Sequence, residues 1–143
     1  MESVRKAREA IAERGLIEPG SRVVAAVSGG ADSTALLVIL KELSKEIGFE
    51  LAAAHLDHRI RRGSSKEQLV VSRLASSLEV PFIAGAADVP AEARKRRIGI
   101  EEAARVMRYE FLERAASDFA ADAVALGHTR DDQVETILHR ILR

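Results

Sequence analysis

Ser28, Gly29, Gly30, Asp32, Ser33 and Thr34 stand together in the stretch VVAAVSGGADSTALL, between one apolar run and a second with helical spacing. Two glycines ahead of a helix allow close approach to the backbone, and the unpaired N–H groups of a helix start attract phosphate. The hydroxyls of Ser28, Ser33 and Thr34 can each donate to an oxyanion. Asp32 opposes that role, because a carboxylate repels a polyphosphate at short range. A cation between them removes the conflict, and Mg²⁺ takes carboxylate and phosphate oxygens together. Asp32 is therefore read as a metal ligand, against the plainer reading of a first-turn acid that the helix dipole favours by roughly 0.3–1 kcal/mol. The loop has neither the lysine of Gly-x4-Gly-Lys-Ser/Thr nor the third glycine of Gly-x-Gly-x-x-Gly, so neither common nucleotide fingerprint applies.

Four further groups carry chemistry. AAAHLDHRIRR sets His55, Asp57 and His58 ahead of Arg59, Arg61 and Arg62. Zinc is disfavoured there, because no third ligand at metal spacing follows, whereas a nucleotide or RNA contact also accounts for the arginines. ALGHTRDDQVET carries Gly127 and His128 ahead of Asp131 and Asp132. Asp132 with Glu135 reads as a capping box, and if its strand lies beside the first one, Asp132 can share the cation with Asp32. GIEEAARVMRYEFLE spaces Arg105 and Arg108 at i, i+3 near Glu101, a pattern that by itself reads as a solvated salt-bridged face. In ARKRRIG, Arg94, Lys95, Arg96 and Arg97 form a basic block, read as a loop that is either solvated or set against an RNA backbone.

The elements that must position these groups follow from periodicity. Residues 3–14 form an amphipathic helix stopped at Gly15, and LIEPGS turns into a strand over Arg22–Val27. A helix spans about Ala31–Ile47 and ends at Gly48; FELAAAHL is the second strand. SSKE, at Ser64–Glu67, is a capping box opening a helix to about Leu78, and PFIAG is the third strand. Residues 100–120 show helical spacing; DAVALG is a fourth strand, with a helix from Asp132 onward. Apolar strands alternating with amphipathic helices imply an α/β fold, a parallel β-sheet with helices on both faces, and ligands beyond the carboxyl ends of its strands.

At 143 residues, 47% hydrophobic and 31% charged, the chain is sized for one globular domain. Lys plus Arg and Asp plus Glu are both 22, so any nucleic-acid contact must be local rather than spread over the surface. There is no cysteine, hence no disulfide, thiolate metal site or thiol nucleophile. The amino terminus has no apolar core of a signal peptide, and the longest apolar run, ALLVIL, is too short to span a bilayer. The last segment stops at Arg143 with no cap, which is read as truncation of a longer chain.

In this order the pieces resemble the PP-loop (N-type) ATP pyrophosphatases, whose hallmark Ser-Gly-Gly-x-Asp-Ser stands here as Ser28-Gly29-Gly30-Ala31-Asp32-Ser33. Within that group the chain is most similar to the tRNA(Ile)-lysidine synthetases, through HLDHRIR at His55–Arg61, EEAARVMRYEFL at Glu101–Leu112 and GHTRDDQVET at Gly127–Thr136. The related tRNA thiolases carry cysteines, of which this chain has none.

The resemblance implies a Rossmann-like, adenine nucleotide α-hydrolase-like domain over residues 1–143 that uses ATP and Mg²⁺. The wobble cytidine of an isoleucine tRNA attacks the ATP α-phosphate, and L-lysine then displaces AMP to give lysidine. Carried over by motif, Ser28, Gly29, Gly30, Ser33 and Thr34 hold phosphates, with Asp32 on the metal. The backbone at His55 and Leu56 meets adenine, and Arg105, Arg108, Gly127 and His128 complete the ATP contacts. Asp132 is the second metal ligand; Asp131, Asp132 and Glu135 face the substrate lysine. His58, Arg61, Arg62 and Arg94–Arg97 are assigned to tRNA. The implied location is cytoplasmic with no membrane partner, and a homodimer stays open. Regions that recognise tRNA would lie outside this chain, so by itself it is expected to bind ATP weakly and modify tRNA poorly. The alternatives are a PP-loop synthetase of a small metabolite, or a non-catalytic adenine-nucleotide module that needs neither Asp32 nor Asp132.

Overall fold

Strand β1 (Arg22–Ala26) is built from the first apolar run, and Val23, Val24 and Ala25 in it have no exposed surface at all. Burial on both faces is what a strand inside a parallel sheet requires, and it removes the polar alternation a half-exposed strand would show. Around β1, the computed structural model describes residues 5, 6, 9, 17–58, 64–130 and 133–140; for Asp32, Ser64, Ser65, 127–130 and 133–140 it describes the backbone alone. After β1 come helix α1 (Ala31–Leu43), a π-helical turn (Ser44–Gly48), β2 (Glu50–Asp57), α2 (Ser64–Ser77), β3 (Phe82–Ala86), α3 (Val89–Arg96), α4 (Ile100–Phe119), β4 (Ala123–Arg130) and β5 (Gln133–Arg140). Residues 5, 6 and 9 are helical; the rest of the helix expected over residues 3–14 lies outside the described residues.

The strand order is β3-β2-β1-β4-β5, with β3, β2, β1 and β4 mutually parallel. Leu36, Leu37, Leu40 and Leu43 of α1 and Val71 and Ala75 of α2 pack with Val23, Ala25, Leu51 and Ala53 on one face. Phe111, Leu112, Ala115 and Ala116 of α4 pack with Val24, Ala52, Ala54, Val124 and Leu126 on the other. The expected doubly covered α/β sheet is therefore the observed one. Gly85 of β3 is what lets α4 lie so close: a Cβ there would meet the Phe111 ring at 2.6 Å. At the amino edge Arg22 closes the sheet, donating from Nε to the Phe119 carbonyl at 2.6 Å and stacking on that ring at 4.1 Å.

Two sequence-based expectations fail. The helix expected from Asp132 onward is instead β5, antiparallel to β4 from Ala123↔Arg140 to Arg130↔Gln133. The capping box falls with it, since Glu135 is register partner to His128 in the ladder rather than sitting in a helical first turn. Two physical terms favour the strand. QVETILHR carries the β-branched Val134, Thr136 and Ile137, and the outer edge of β4 offers backbone groups that β5 pairs. Over so short a segment, apolar spacing does not separate helix from strand. The second failure is the basic block expected in a loop: Arg94, Lys95 and Arg96 close α3, and Arg97 is its cap in the left-handed conformation, φ 58° and ψ 45°. Asp88 starts that helix by accepting the Ala91 N–H at 3.1 Å.

Candidate nucleotide site

The strand order reverses between β1 and β4, where α1 follows β1 on one face and α4 precedes β4 on the other, and a ligand crevice is expected beyond their carboxyl ends. The glycine loop lies at that point. The last parallel pair of β1 with β4 is Ala26↔Leu126, which brings Gly127 to the level of the loop's first residues. The expected neighbourhood of the segments after β1 and β4 is thus realised, although the second leads into a strand rather than a helix. Asp131 and Asp132 lie outside the described residues, as do the side chains of Asp32, His128 and Glu135.

The loop is held by its own hydroxyls. Ser33, buried, accepts the Ser28 N–H at 3.0 Å and shares a hydrogen bond with the Ser28 hydroxyl at 2.9 Å. Thr34 donates back to the carbonyls of Gly30 or Ala31, at 3.1 and 2.9 Å. All three hydroxyls expected on phosphate are hydrogen-bonded within the loop, with Ser28 exposed, Thr34 half-buried and Ser33 buried. Gly30 is the N-cap residue of α1 and no side chain caps the helix. The first N–H groups of a helix have no partner within it, so this start presents donors and a positive dipole end to an anion. A nucleotide triphosphate fits that donor set, and an acid at Asp32 in the first turn fits a cation beside it.

Two contacts invisible in the local sequence fix the loop from below. Gly29 has φ +96°, and a Cβ on it would meet the Glu67 Cβ at 2.9 Å, so the first turn of α2 abuts the loop. In the sequence Glu67 reads only as half of a capping box. His55, at the end of β2 and on the face shared with Leu51 and Ala53, sets its ring Nδ1 at 2.7 Å from the Val27 carbonyl. A carbonyl only accepts, so Nδ1 carries the proton and His55 acts as a buried strut under the loop, 3% exposed. The register of β2 with β1 ends at Ala26↔Ala54, and beyond it the backbone at His55 and Leu56 pairs with Ala84 and Gly85 of β3.

On the other face, Arg108 of α4 is half-buried with its Nε out of reach of any acceptor among the described residues. Arg105, three residues earlier, is exposed. His58, just beyond β2, has its pKa lowered by burial, then by the charge of Arg108 and of His55, against opposing pulls from Asp57 and Glu67. This gives a pH dependence with a definite sign. The unfolded chain takes up a proton on His58 near the ordinary value of 6.5, whereas the folded chain resists until lower pH, so stability falls as pH drops through that window. Thermal unfolding between pH 7.5 and 5.5 measures it: His58→Gln is expected to flatten the slope, and an unchanged slope would remove His58 as its source. Arg59, Arg61 and Arg62 lie outside the described residues. Among the described residues no group of three His, Asp or Glu side chains is placed to hold a metal ion, and no helix is long and apolar enough to cross a membrane.

A family model described as the PP-loop domain matches residues 1–143. The tRNA(Ile)-lysidine synthase of Dehalococcoides mccartyi is 42% identical over 134 residues, which is 93% of this chain and 28% of that protein. That of Geobacter sulfurreducens is 43% identical over 141 residues, 98% of this chain and 30% of that protein. The chain therefore spans about three-tenths of the length of these relatives. Among solved structures, the U34-tRNA thiolase NcsA from Methanococcus maripaludis with its [4Fe-4S] cluster superposes with a TM-score of 0.77 at 22% identity, covering 92% of this chain and 46% of that one. The NH3-dependent NAD synthetase from Campylobacter jejuni gives 0.61 at 18% identity, over 86% and 54%. At those identities the structural likeness speaks for the fold.

Proposed function

The chain belongs to the PP-loop domain family, and on that premise we propose that it is the ATP-binding catalytic part of a tRNA(Ile)-lysidine synthase acting in the cytoplasm. The single observation that carries this reading is the similarity of more than nine-tenths of the chain to such synthases, with the glycine loop at the sheet's crevice. In the reaction, the base carbonyl of the wobble cytidine attacks the α-phosphate of ATP and pyrophosphate leaves. The ε-amine of L-lysine then displaces AMP, forming the carbon–nitrogen bond and losing its proton.

Each group has a place in that scheme. The uncapped start of α1, with Gly29, Gly30 and the Ser28 hydroxyl, receives the triphosphate and stabilises charge on departing pyrophosphate. Ser33 and Thr34 keep the loop in shape. Asp32 and Asp132 hold Mg²⁺, which when bound offsets repulsion between nucleophile and phosphates. Adenine lies along the backbone at His55 and Leu56, with Gly127 and His128 across the crevice. Arg108, and Arg105 beyond it, meet the nucleotides from the α4 face. Asp131, Asp132 and Glu135 present an acidic side to the lysine ammonium.

The test is incorporation of radiolabelled lysine into isoleucine tRNA bearing a wobble cytidine, by the intact protein. Label is expected in the RNA only with ATP and Mg²⁺ present. Absence of label, with amide formation on a small acid instead, would replace this reading by that of a metabolite synthetase.

A further inference from the structure

The basic block on α3 has an internal division of labour. Arg96 donates from Nε to Glu92, one turn back, at 3.0 Å, and its two terminal nitrogens reach Glu110 of α4 at 3.0 and 3.4 Å. That two-pronged contact to Glu110 is the geometry in which guanidinium and carboxylate bind best, and it holds the Glu110 carboxyl below its ordinary range. The guanidinium is thus matched by two acids and spent on fixing α3 against α4. Beneath it Val89, Ala93 and Ala103 form a small buried cluster, with Ile98, Ala104 and Met107 packed around it. The end of α3 is therefore a rigid platform.

Arg94, Lys95 and Arg97 stand on that platform, all exposed, and none has an ion pair among the described residues. The chain's overall charge is balanced, so three unmatched cations within four residues are a local excess and not part of a generally basic surface. Their position is also set. α3 begins at the sheet's carboxyl edge, where the Val89 N–H approaches the His58 carbonyl, and it runs about 12 Å from there to the cations. The block thus closes a helix that starts at the carboxyl edge and is tied to α4 through Arg96 and Glu110.

We propose that Arg94, Lys95 and Arg97 form a phosphate-backbone contact for the RNA substrate outside the crevice, with Arg96 as the positioning residue that presents them. The proposal rests on the reading above that the substrate is RNA. Such contacts fix the orientation of a nucleic acid without reading its sequence, and they release counterions when they form.

The test is the salt dependence of tRNA binding by the intact protein. Neutralising the three cations together, Arg94→Gln with Lys95→Gln and Arg97→Gln, is expected to weaken binding at least tenfold near 0.1 M salt. It should also reduce the slope of log affinity against log salt by about 2 to 3, at roughly 0.7–0.9 per phosphate contact. ATP affinity serves as the check on folding and stays at the wild-type value. Arg96→Gln removes a charge that is already matched but loosens α3 from α4, so tRNA binding is expected to weaken by less than in the triple variant while the slope stays within one contact of wild type. A triple variant with the wild-type slope overturns the proposal while lysine labelling of the RNA keeps the functional reading in place. The same holds if the triple variant loses an acidic protein partner and retains the RNA slope. A wild-type protein that binds no tRNA overturns both.

Discussion

Gly29→Ala is expected to lower ATP affinity at least tenfold and to cost the fold about 1–3 kcal/mol. Two penalties act at one position. The residue sits at φ +96°, where a side chain strains against its own backbone, and its Cβ would meet the Glu67 Cβ at 2.9 Å. Relief requires the loop to rise or the start of α2 to retreat, and either displaces the N–H groups at the start of α1 from a bound phosphate. The neighbouring glycine supplies the control. Gly30 has an ordinary φ of −76°, and a Cβ on it would meet only the Ser28 hydroxyl at 3.6 Å. Gly30→Ala should therefore leave thermal stability close to wild type. Calorimetric titration with ATP, alongside thermal unfolding of both variants, measures the difference. A Gly29→Ala protein that binds ATP and melts as wild type would show that the contact with Glu67 does not shape the loop.

Asp32→Asn is expected to reduce pyrophosphate release by a factor on the order of 10² or more, while costing the fold no more than the roughly 0.3–1 kcal/mol of a first-turn carboxylate's interaction with its helix. The substitution keeps the size of the side chain and removes the charge that opposes a cation. Single-turnover release of pyrophosphate, followed across a range of Mg²⁺ concentrations, separates the two roles of Asp32. As a metal ligand, it raises the Mg²⁺ requirement when lost; as a mere helix-start acid, it leaves both rate and requirement unchanged. The second outcome would favour a nucleotide-binding module over an enzyme.

The α/β alternation was legible from periodicity because each strand from β1 to β4 and each of the helices α1, α2 and α4 carries its own pattern of apolar residues. The glycine loop was legible for a similar reason: its function needs particular residue types at fixed local spacing. Helix α3 was missed because four of its eight residues, Glu92, Arg94, Lys95 and Arg96, are charged, leaving Val89 and Ala93 as the buried pair. β5 was missed because an eight-residue segment with mixed spacing has no intrinsic preference strong enough to outweigh an available strand edge.

Within the site, the same boundary runs between neighbours in sequence. Ser28 and Ser33 hydrogen-bond five positions apart, so the loop's inner bonding was within reach of a local reading. His55 under Val27, 28 positions away, was not, and its side chain proved a strut where the motif had suggested only a border of the crevice. Arg96 and Arg97 are adjacent and of one type, yet Arg96 is held by Glu110 and Arg97 carries no ion pair among the described residues.

The sequence by itself determined the chemistry of the glycine loop, the alternation that makes a parallel sheet, and the kind of ligand such a start of a helix accepts. These depend on residues a few positions apart, whose backbone geometry and charge act locally. Only the tertiary structure decided that β4 lies against β1, that Glu67 and His55 support the loop, that the last segment pairs as a strand, and which cations remain unmatched. Those outcomes are set by packing and pairing between residues distant along the chain, where each contact depends on the placement of the whole sheet.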